Sequence, residues 1–210
     1  MGASRRLEKI KERMNFPGPS CNLLCEQMAA TPEALREQML VIRSQIGDES
    51  AFQELVQLYG PRLLLFTKRM LQSSPDAVAD VMQEVWIAVY RALPRLQEAS
   101  RFQSWAFRIA RDRIYREYRR RKTAFHPADD SQLSEVSEPD ELSAAVDREE
   151  LDRCLNSISP EHREALVLRY FEEMSYEEIA RVTGSSLGTV RSRIHYGRQA
   201  LKKLWKGNAA

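Results

Sequence analysis

Residues 123–145 contain no lysine or arginine, two prolines (Pro127 and Pro139) and few large apolar side chains. A stretch of that composition buries too little surface to offset the cost of ordering its backbone, so it reads as a flexible linker. The chain must therefore build its core on either side of it. We place one domain at 33–122 and a second at 146–206. Residues 1–32 read as a loosely structured extension, because Phe16-Pro-Gly-Pro-Ser20 breaks any helix there. A length of 210 residues suffices for two small domains.

Apolar residues on both sides of the linker recur at helical spacing and nowhere alternate as in a strand, so the fold class is all-α. In the first domain helices are expected over about 33–46, 48–71 and 75–93, with a fourth from Phe102 to Lys122. Asp48 is the N-cap of the second, whose stripe is Phe52, Leu55, Val56 and Tyr59, and Gly60-Pro61 is expected to kink or break it. Val81, Val85, Trp86 and Val89 form the buried face of the third, which leaves Asp80, Gln83, Glu84 and Arg91 on another side. Phe102, Trp105, Ala106, Ile109 and Ala110 face inward on the fourth.

In the second domain Leu151, Cys154, Leu155 and Ile158 share a helix face, and Pro160 suits the first turn of the next helix. Ser175-Tyr-Glu-Glu178 is a capping box, Gly184 a turn, and a long helix runs from about 186 to 206. A short capped helix, a glycine turn and a basic second helix make a helix-turn-helix.

The net charge of +2 conceals segregation. Residues 101–122 hold nine basic side chains against two acids, 123–147 hold seven acids and no Lys or Arg, and 185–206 hold six basic side chains and no acid. Two polyanion-binding faces flank a polyanion-like strip. On the fourth helix Arg108, Arg111, Tyr115, Arg119 and Lys122 fall together. Cations beside a stacking ring suit single-stranded nucleic acid, where each stacked base contributes roughly 1–3 kcal/mol. Taken alone, the same stripe also fits a solvated basic face. The final helix adds weight to the first reading. With Val190, Ile194, Leu201 and Leu204 turned inward, Leu187, Arg191, Ser192 and His195 are placed to meet base edges, and Arg193, Arg198, Lys202 and Lys203 to meet phosphate. A free-standing regulator with a sensor or dimerisation domain, or an RNA-binding protein, would share parts of this pattern.

Other functions find little support. His126, His162 and His195 are scattered, no phosphate-binding glycine loop occurs, and no Ser, Cys or acid joins a catalytic array. No enzyme activity, cofactor or metal site is expected. Three cysteines do not make a disulfide framework, and Cys21 and Cys25 lack a neighbouring histidine. No run approaches the roughly 20 apolar residues of a membrane span, so a soluble cytoplasmic protein, monomeric when free, is expected.

Asp80-Val-Met-Gln-Glu-Val-Trp86, Phe102-Gln-Ser-Trp105, Ile109-Ala-Arg111 and Arg119-Arg-Arg121 resemble conserved region 2 of bacterial extracytoplasmic-function sigma factors. Leu155 to Arg169, Tyr176-Glu-Glu-Ile-Ala180 and Gly188-Thr-Val-Arg-Ser-Arg193 resemble region 4 of the same family, in the right order around the linker. The resemblance implies a subunit that binds core RNA polymerase through Asp80, Gln83 and Glu84. It also implies a loop, Pro94 to Ser100, that captures a base flipped from the −10 promoter element, with Leu96 and Ser100 at the pocket. Arg108, Arg111, Tyr115, Arg119 and Lys122 would hold the opened strand. The region 4 helix, with Tyr196 and Arg198 added to its face, would read the duplex −35 element, and an anti-sigma factor would regulate the protein. Asp112 stands where the family usually has Asn, and Tyr196 and Gly197 where Arg and Ala are common.

Overall fold

The computed structural model describes residues 31–124 and 150–208, with side chains described up to Arg121 and up to Trp205. The linker beyond Ala124, the extension before Thr31 and the Cys21–Cys25 pair lie outside the described residues. Every described regular element is helical. Helix α1 spans Pro32–Gln45, α2 Glu49–Leu71, α3 Pro75–Ala92 and α4 Phe102–Ala124. A helical stretch at 150–156 precedes α5 (Pro160–Tyr170), α6 (Tyr176–Thr183) and α7 (Leu187–Asn208).

Local chemistry sets the starts. The Thr31 hydroxyl accepts from the Ala34 N–H at 3.2 Å, with Pro32 in the first turn. Asp48 caps α2 by accepting from the Ala51 N–H at 3.1 Å, and also holds the Ser50 hydroxyl and Arg43. The Ser159 hydroxyl accepts from His162 N–H ahead of α5. Of the expected kink or break at Gly60-Pro61, a break does not occur, and α2 runs through both residues. Proline Cδ collides chiefly with the Cβ of the preceding residue, and Gly60 has none. Proline 61 is exposed, so the carbonyl it leaves without a donor can reach water.

The first core is a ridge along α2 (Leu55, Tyr59, Leu63, Phe66, Met70) packed on α3 (Val78, Val81, Val85, Val89) and α4 (Phe102, Ala106, Phe107, Ala110, Ile114). Edge-on aromatic pairs join α2 to α4: Tyr59 with Phe102 at 5.0 Å and Phe66 with Phe107 at 5.3 Å between centroids. Phe107 and Ile114 lie outside the expected stripe, yet both are completely buried. The α4 helix is covered on more than one side.

In the second body α5 lies against α7. Ser175 and Glu178 complete the expected capping box, with hydrogen bonds of 3.2 Å and 2.7 Å. Gly184 closes α6 at φ 66°, in the left-handed region that favours glycine. The inward stripe of α7 is Val190, Ile194, Gly197 and Leu201, whereas Leu204 is exposed. Gly197 takes the inward place because α5 comes too close for more. A Cβ there would sit 3.2 Å from His162 Cβ and from the Leu166 side chain. The two bodies are also in contact with each other, α6 along α4 and α5 against α2.

Two outcomes are expected from this packing. Gly197→Val should destabilise the protein by about 1–3 kcal/mol through overpacking between α5 and α7, and Gly197→Ala should not give the roughly 1 kcal/mol gain typical of an exposed helix. Chemical denaturation of both variants measures this. Hydrogen bonds from Ser50, Ala51 and Arg43 hold the Asp48 carboxyl down at about 2, against its ordinary 3.8. The cap's contribution is therefore complete above that ordinary value and is lost as pH falls through about 2. The melting-temperature difference between wild type and Asp48→Ala should shrink over this window and be constant above pH ~5.

Candidate nucleic-acid interface

The outward face of α7 follows from what is buried behind it. Leu187, Arg191, Ser192, His195, Tyr196, Lys202 and Lys203 are exposed, and Arg193 and Arg198 are half-buried. Hydrogen bonds fix the helix start: Ser186 Oγ accepts from the Thr189 N–H at 3.2 Å, and Arg193 donates to Ser185 Oγ at 3.0 Å. The His195 ring lies 3.0 Å from the Gln199 amide and 5.3 Å, edge-on, from the Tyr196 ring. Arginine, imidazole, hydroxyl and amide groups at one helix surface offer the donors and acceptors that major-groove edges pair with.

The hollow beneath the 3-10 turns Leu93–Arg95 and Ala99–Arg101 is a cavity of about 320 Å³. Leu96, Gln97, Ser104, Trp105 and the arginines 95, 101 and 108 line it, and Arg181 of α6 closes one side. Gln45 of α1 pins the loop by donating to the carbonyls of Leu93 and Leu96, at 3.0 Å and 2.6 Å. Leu96 is half-buried and Ser100 exposed outside the lining. Trp105 was expected in the buried stripe of α4 rather than at the pocket, Arg95 was covered only as part of the Pro94–Ser100 loop, and the anchoring Gln45 was not singled out by sequence.

Along α4, Arg108 and Arg119 are exposed, and the Lys122 side chain is outside the described residues. Arg111 and Tyr115 are engaged by the second domain. Arg111 Nε donates to Glu164 Oε1 at 2.8 Å, and the Tyr115 hydroxyl lies 3.5 Å from Oε2. The guanidinium also sits 4.4 Å from the Tyr115 ring centre. Burial, and next the Glu164 charge, push the Tyr115 phenol up to about 12. Glu164 is itself 0% exposed, and burial raises its carboxyl while Arg111 pulls it down.

Further contacts join the domains. Arg62 Nε meets Glu172 at 2.9 Å, Arg69 Nε meets Asp152 at 2.9 Å, and Gln103 donates to the Glu172 carbonyl at 3.0 Å. Nothing in the sequence marked Arg62, Arg69, Glu164 or Glu172. A charge inside an apolar run is visible, but its partner more than fifty residues away is not.

On α3 Asp80, Gln83 and Glu84 are exposed together as expected, and they border a second hollow with Glu117 and Arg120 of α4. Glu117 holds Arg120 at 2.8 Å and Arg121 at 2.9 Å. That pairing, and more weakly Glu84 and Asp80, raise the Arg120 guanidinium above its ordinary value. No cluster of metal-ligating side chains occurs among the described residues, and no described helix is long and apolar enough to cross a membrane. Cys154 is buried, which raises its thiol.

Residues 55–124 match the family model for sigma-70 region 2, and residues 148–201 match that for sigma-70 region 4. The ECF RNA polymerase sigma-E factor of Escherichia coli is 34% identical over 181 residues, covering 80% of this chain and 94% of that protein. The RNA polymerase sigma-H factor of Pseudomonas aeruginosa is 34% identical over 180 residues, with 80% and 93% coverage. Among solved structures, the sigma factor RpoE in complex with the anti-sigma factor NepR from Bartonella quintana aligns with a TM-score of 0.65 at 26% identity, over 74% of this chain and 96% of that one. CnrH in complex with the cytosolic domain of CnrY aligns with a TM-score of 0.62 at 26% identity, over 82% and 98%. The chain belongs to the extracytoplasmic-function family of RNA polymerase sigma factors.

Proposed function

We propose that this sigma factor initiates transcription by dividing promoter recognition between its two helical domains. The helix-turn-helix domain reads the −35 duplex through Leu187, Arg191, Ser192, His195 and Tyr196, with Arg193, Arg198, Lys202 and Lys203 on the phosphates. The first domain receives the opened −10 strand. The cavity beside Leu96 and Ser100 takes a flipped base, and Arg108, Arg111, Tyr115, Arg119 and Lys122 track the backbone. Asp80, Gln83 and Glu84 bind core RNA polymerase, the acidic linker threads through the enzyme, and catalysis belongs to the polymerase. The protein works in the cytoplasm, where its partners are, and is monomeric when free. The solved sigma factor RpoE, bound to the anti-sigma factor NepR, supports the proposal that an anti-sigma factor holds this chain inactive.

The observation that carries this reading is the face of α7. A helix whose other side is buried against α5 presents Arg191, Ser192 and His195 outward without an acidic neighbour along its length. The direct test is run-off transcription: core polymerase with the purified protein should start at a single position on a cognate promoter. A protein that bound DNA but gave no start would be a regulator instead.

Two variant sets probe the assigned residues. Arg191→Ala should cost about 1–3 kcal/mol on the preferred site and relax its sequence preference, whereas Lys202→Ala should weaken all sequences alike and reduce the salt slope by about one. Fluorescence anisotropy over a salt series separates the two behaviours. Glu84→Lys should weaken core polymerase binding about tenfold or more while leaving circular dichroism and −35 duplex binding unchanged. Wild-type core affinity at matched salt would remove this patch from the mechanism.

A further inference from the structure

We propose that the segment from Cys21 to Met28 of this chain covers the outward face of α1, folded back along that helix through the short connection at 29–31.

Helix α1 is apolar on two opposite sides. Leu40 and Val41 are buried in the core. On the far side Leu35, Met39 and Ile42, continued by Ile46 at the C-cap, recur at spacings of four, three and four residues. They are 51%, 63%, 52% and 82% exposed. At 100° per residue the four span only about 60° of the helix surface, a seam of the kind that packs along a second helix. Single exposed apolar side chains are ordinary, whereas a continuous row of them marks a surface that binds something. The arginines at its rim, Arg36 and Arg43, are already paired with Glu54 at 3.2 Å and Asp48 at 2.6 Å. The face therefore offers an occupant chiefly apolar contact.

Its size selects the occupant. Separate proteins that associate stably bury about 1,200–2,000 Å² in all, well beyond what one seam of four side chains supplies. A tethered segment has no such requirement, because a short connection raises its effective concentration to about the mM range.

The chain just before α1 carries the matching pattern. Cys21, Leu24, Cys25 and Met28 follow the i, i+3, i+4, i+7 spacing of one helix face, and Asn22, Glu26 and Gln27 fall off it. Thr31 is extended, at φ −64° and ψ 154°, and precedes Pro32, so no helix runs unbroken into α1. Ala29, Ala30 and Thr31 are left as the connection, within the range of about two to five residues that joins antiparallel helices. Folded back in this way, the two seams match turn for turn. Seven residues separate Cys21 from Met28, and seven separate Leu35 from Ile42. Met28 then lies beside Leu35, Leu24 beside Met39 and Cys21 beside Ile42. The cysteine pair acts here as two small apolar groups. Gln45 of the same helix holds the loop over the cavity, so a cover on α1 steadies that loop too.

The native thiols of the full-length protein, kept reduced with a phosphine, test this. Alkylation by iodoacetamide is followed site by site by mass spectrometry, with the buried Cys154 as the gauge of folding. Cys21 and Cys25 should react about tenfold or more slowly than in a synthetic peptide of residues 15–31, in proportion to the uncovered fraction. The double variant Met39→Asp/Ile42→Asp should restore the peptide's rate. Both positions are exposed, so Cys154 reactivity and circular dichroism should stay at wild-type values. In a Cys25→Ser background, mild oxidation should join Ile42→Cys to Cys21 within one chain and should leave Ile46→Cys unjoined. Alkylation of the wild type at the peptide's rate overturns the proposal. Protection that survives the double variant also overturns it, since the segment would then be docked elsewhere. Protection lost on dilution, or a disulfide between two chains, would make a second copy the occupant. None of these readouts involves polymerase or DNA, so they stand or fall apart from the promoter-binding roles.

Discussion

The arrangement of the whole molecule turns on Arg163, an arginine only 4% exposed whose guanidinium spends its donors on backbone carbonyls. It donates to the carbonyls of Leu155 and Asn156, at the end of the 150–156 helix, and of Ile158 just beyond it. A further bond, at 3.2 Å, crosses to the Arg69 carbonyl near the end of α2. One side chain thus caps a helix of the second domain and ties it to the first. Burial lowers its guanidinium below the ordinary value, so the cost of desolvation is real and the carbonyls must offset it. The next residue is Glu164, buried with the opposite charge and aimed at α4. Adjacent residues on a helix diverge by about 100°, which lets one turn of α5 lock inward and reach outward at once.

Much of this was legible in the sequence because it is local. Asp48, Pro160, the Ser175–Glu178 box and Gly184 act locally, and each stands where the pattern put it. The outward set on α7 was legible for the same reason, since periodicity divides a helix into faces. Periodicity does not say what covers a face. On α4 the arginine and tyrosine side was read as open, and in the structure Glu164 of α5 engages Arg111 and Tyr115. Phe107 and Ile114 were missed likewise, because a helix packed on two sides has no single buried stripe. Gly197 was legible only as a departure from the family's common Ala, whereas the close approach of α5 makes it a requirement of packing.

Charge segregation explains both the function and the form of the interdomain contact. A chain proposed to bind polymerase, duplex and single strand needs separate acidic and basic surfaces, and opposite charges also meet where its two helical domains touch. Arginines 62, 69 and 111 of the first domain meet Glu172, Asp152 and Glu164 of the second. An apolar interface of the same extent would be hard to reopen, because separation would expose it to water. Charged groups regain hydration on separation, so the same contact can be both specific and reversible.

Helix α4 concentrates these demands. One side completes the core through Phe102, Ala106, Phe107 and Ala110. Another side carries Arg111 and Tyr115, and near its end Arg120 borders the Asp80, Gln83 and Glu84 patch, held there by Glu117. The patch proposed to meet polymerase therefore lies beside the same helix that carries the side chains proposed to hold the strand, about two to three turns from Arg111 by helix geometry. At the other end of this rigid helix Arg111 is paired with the buried Glu164 carboxylate.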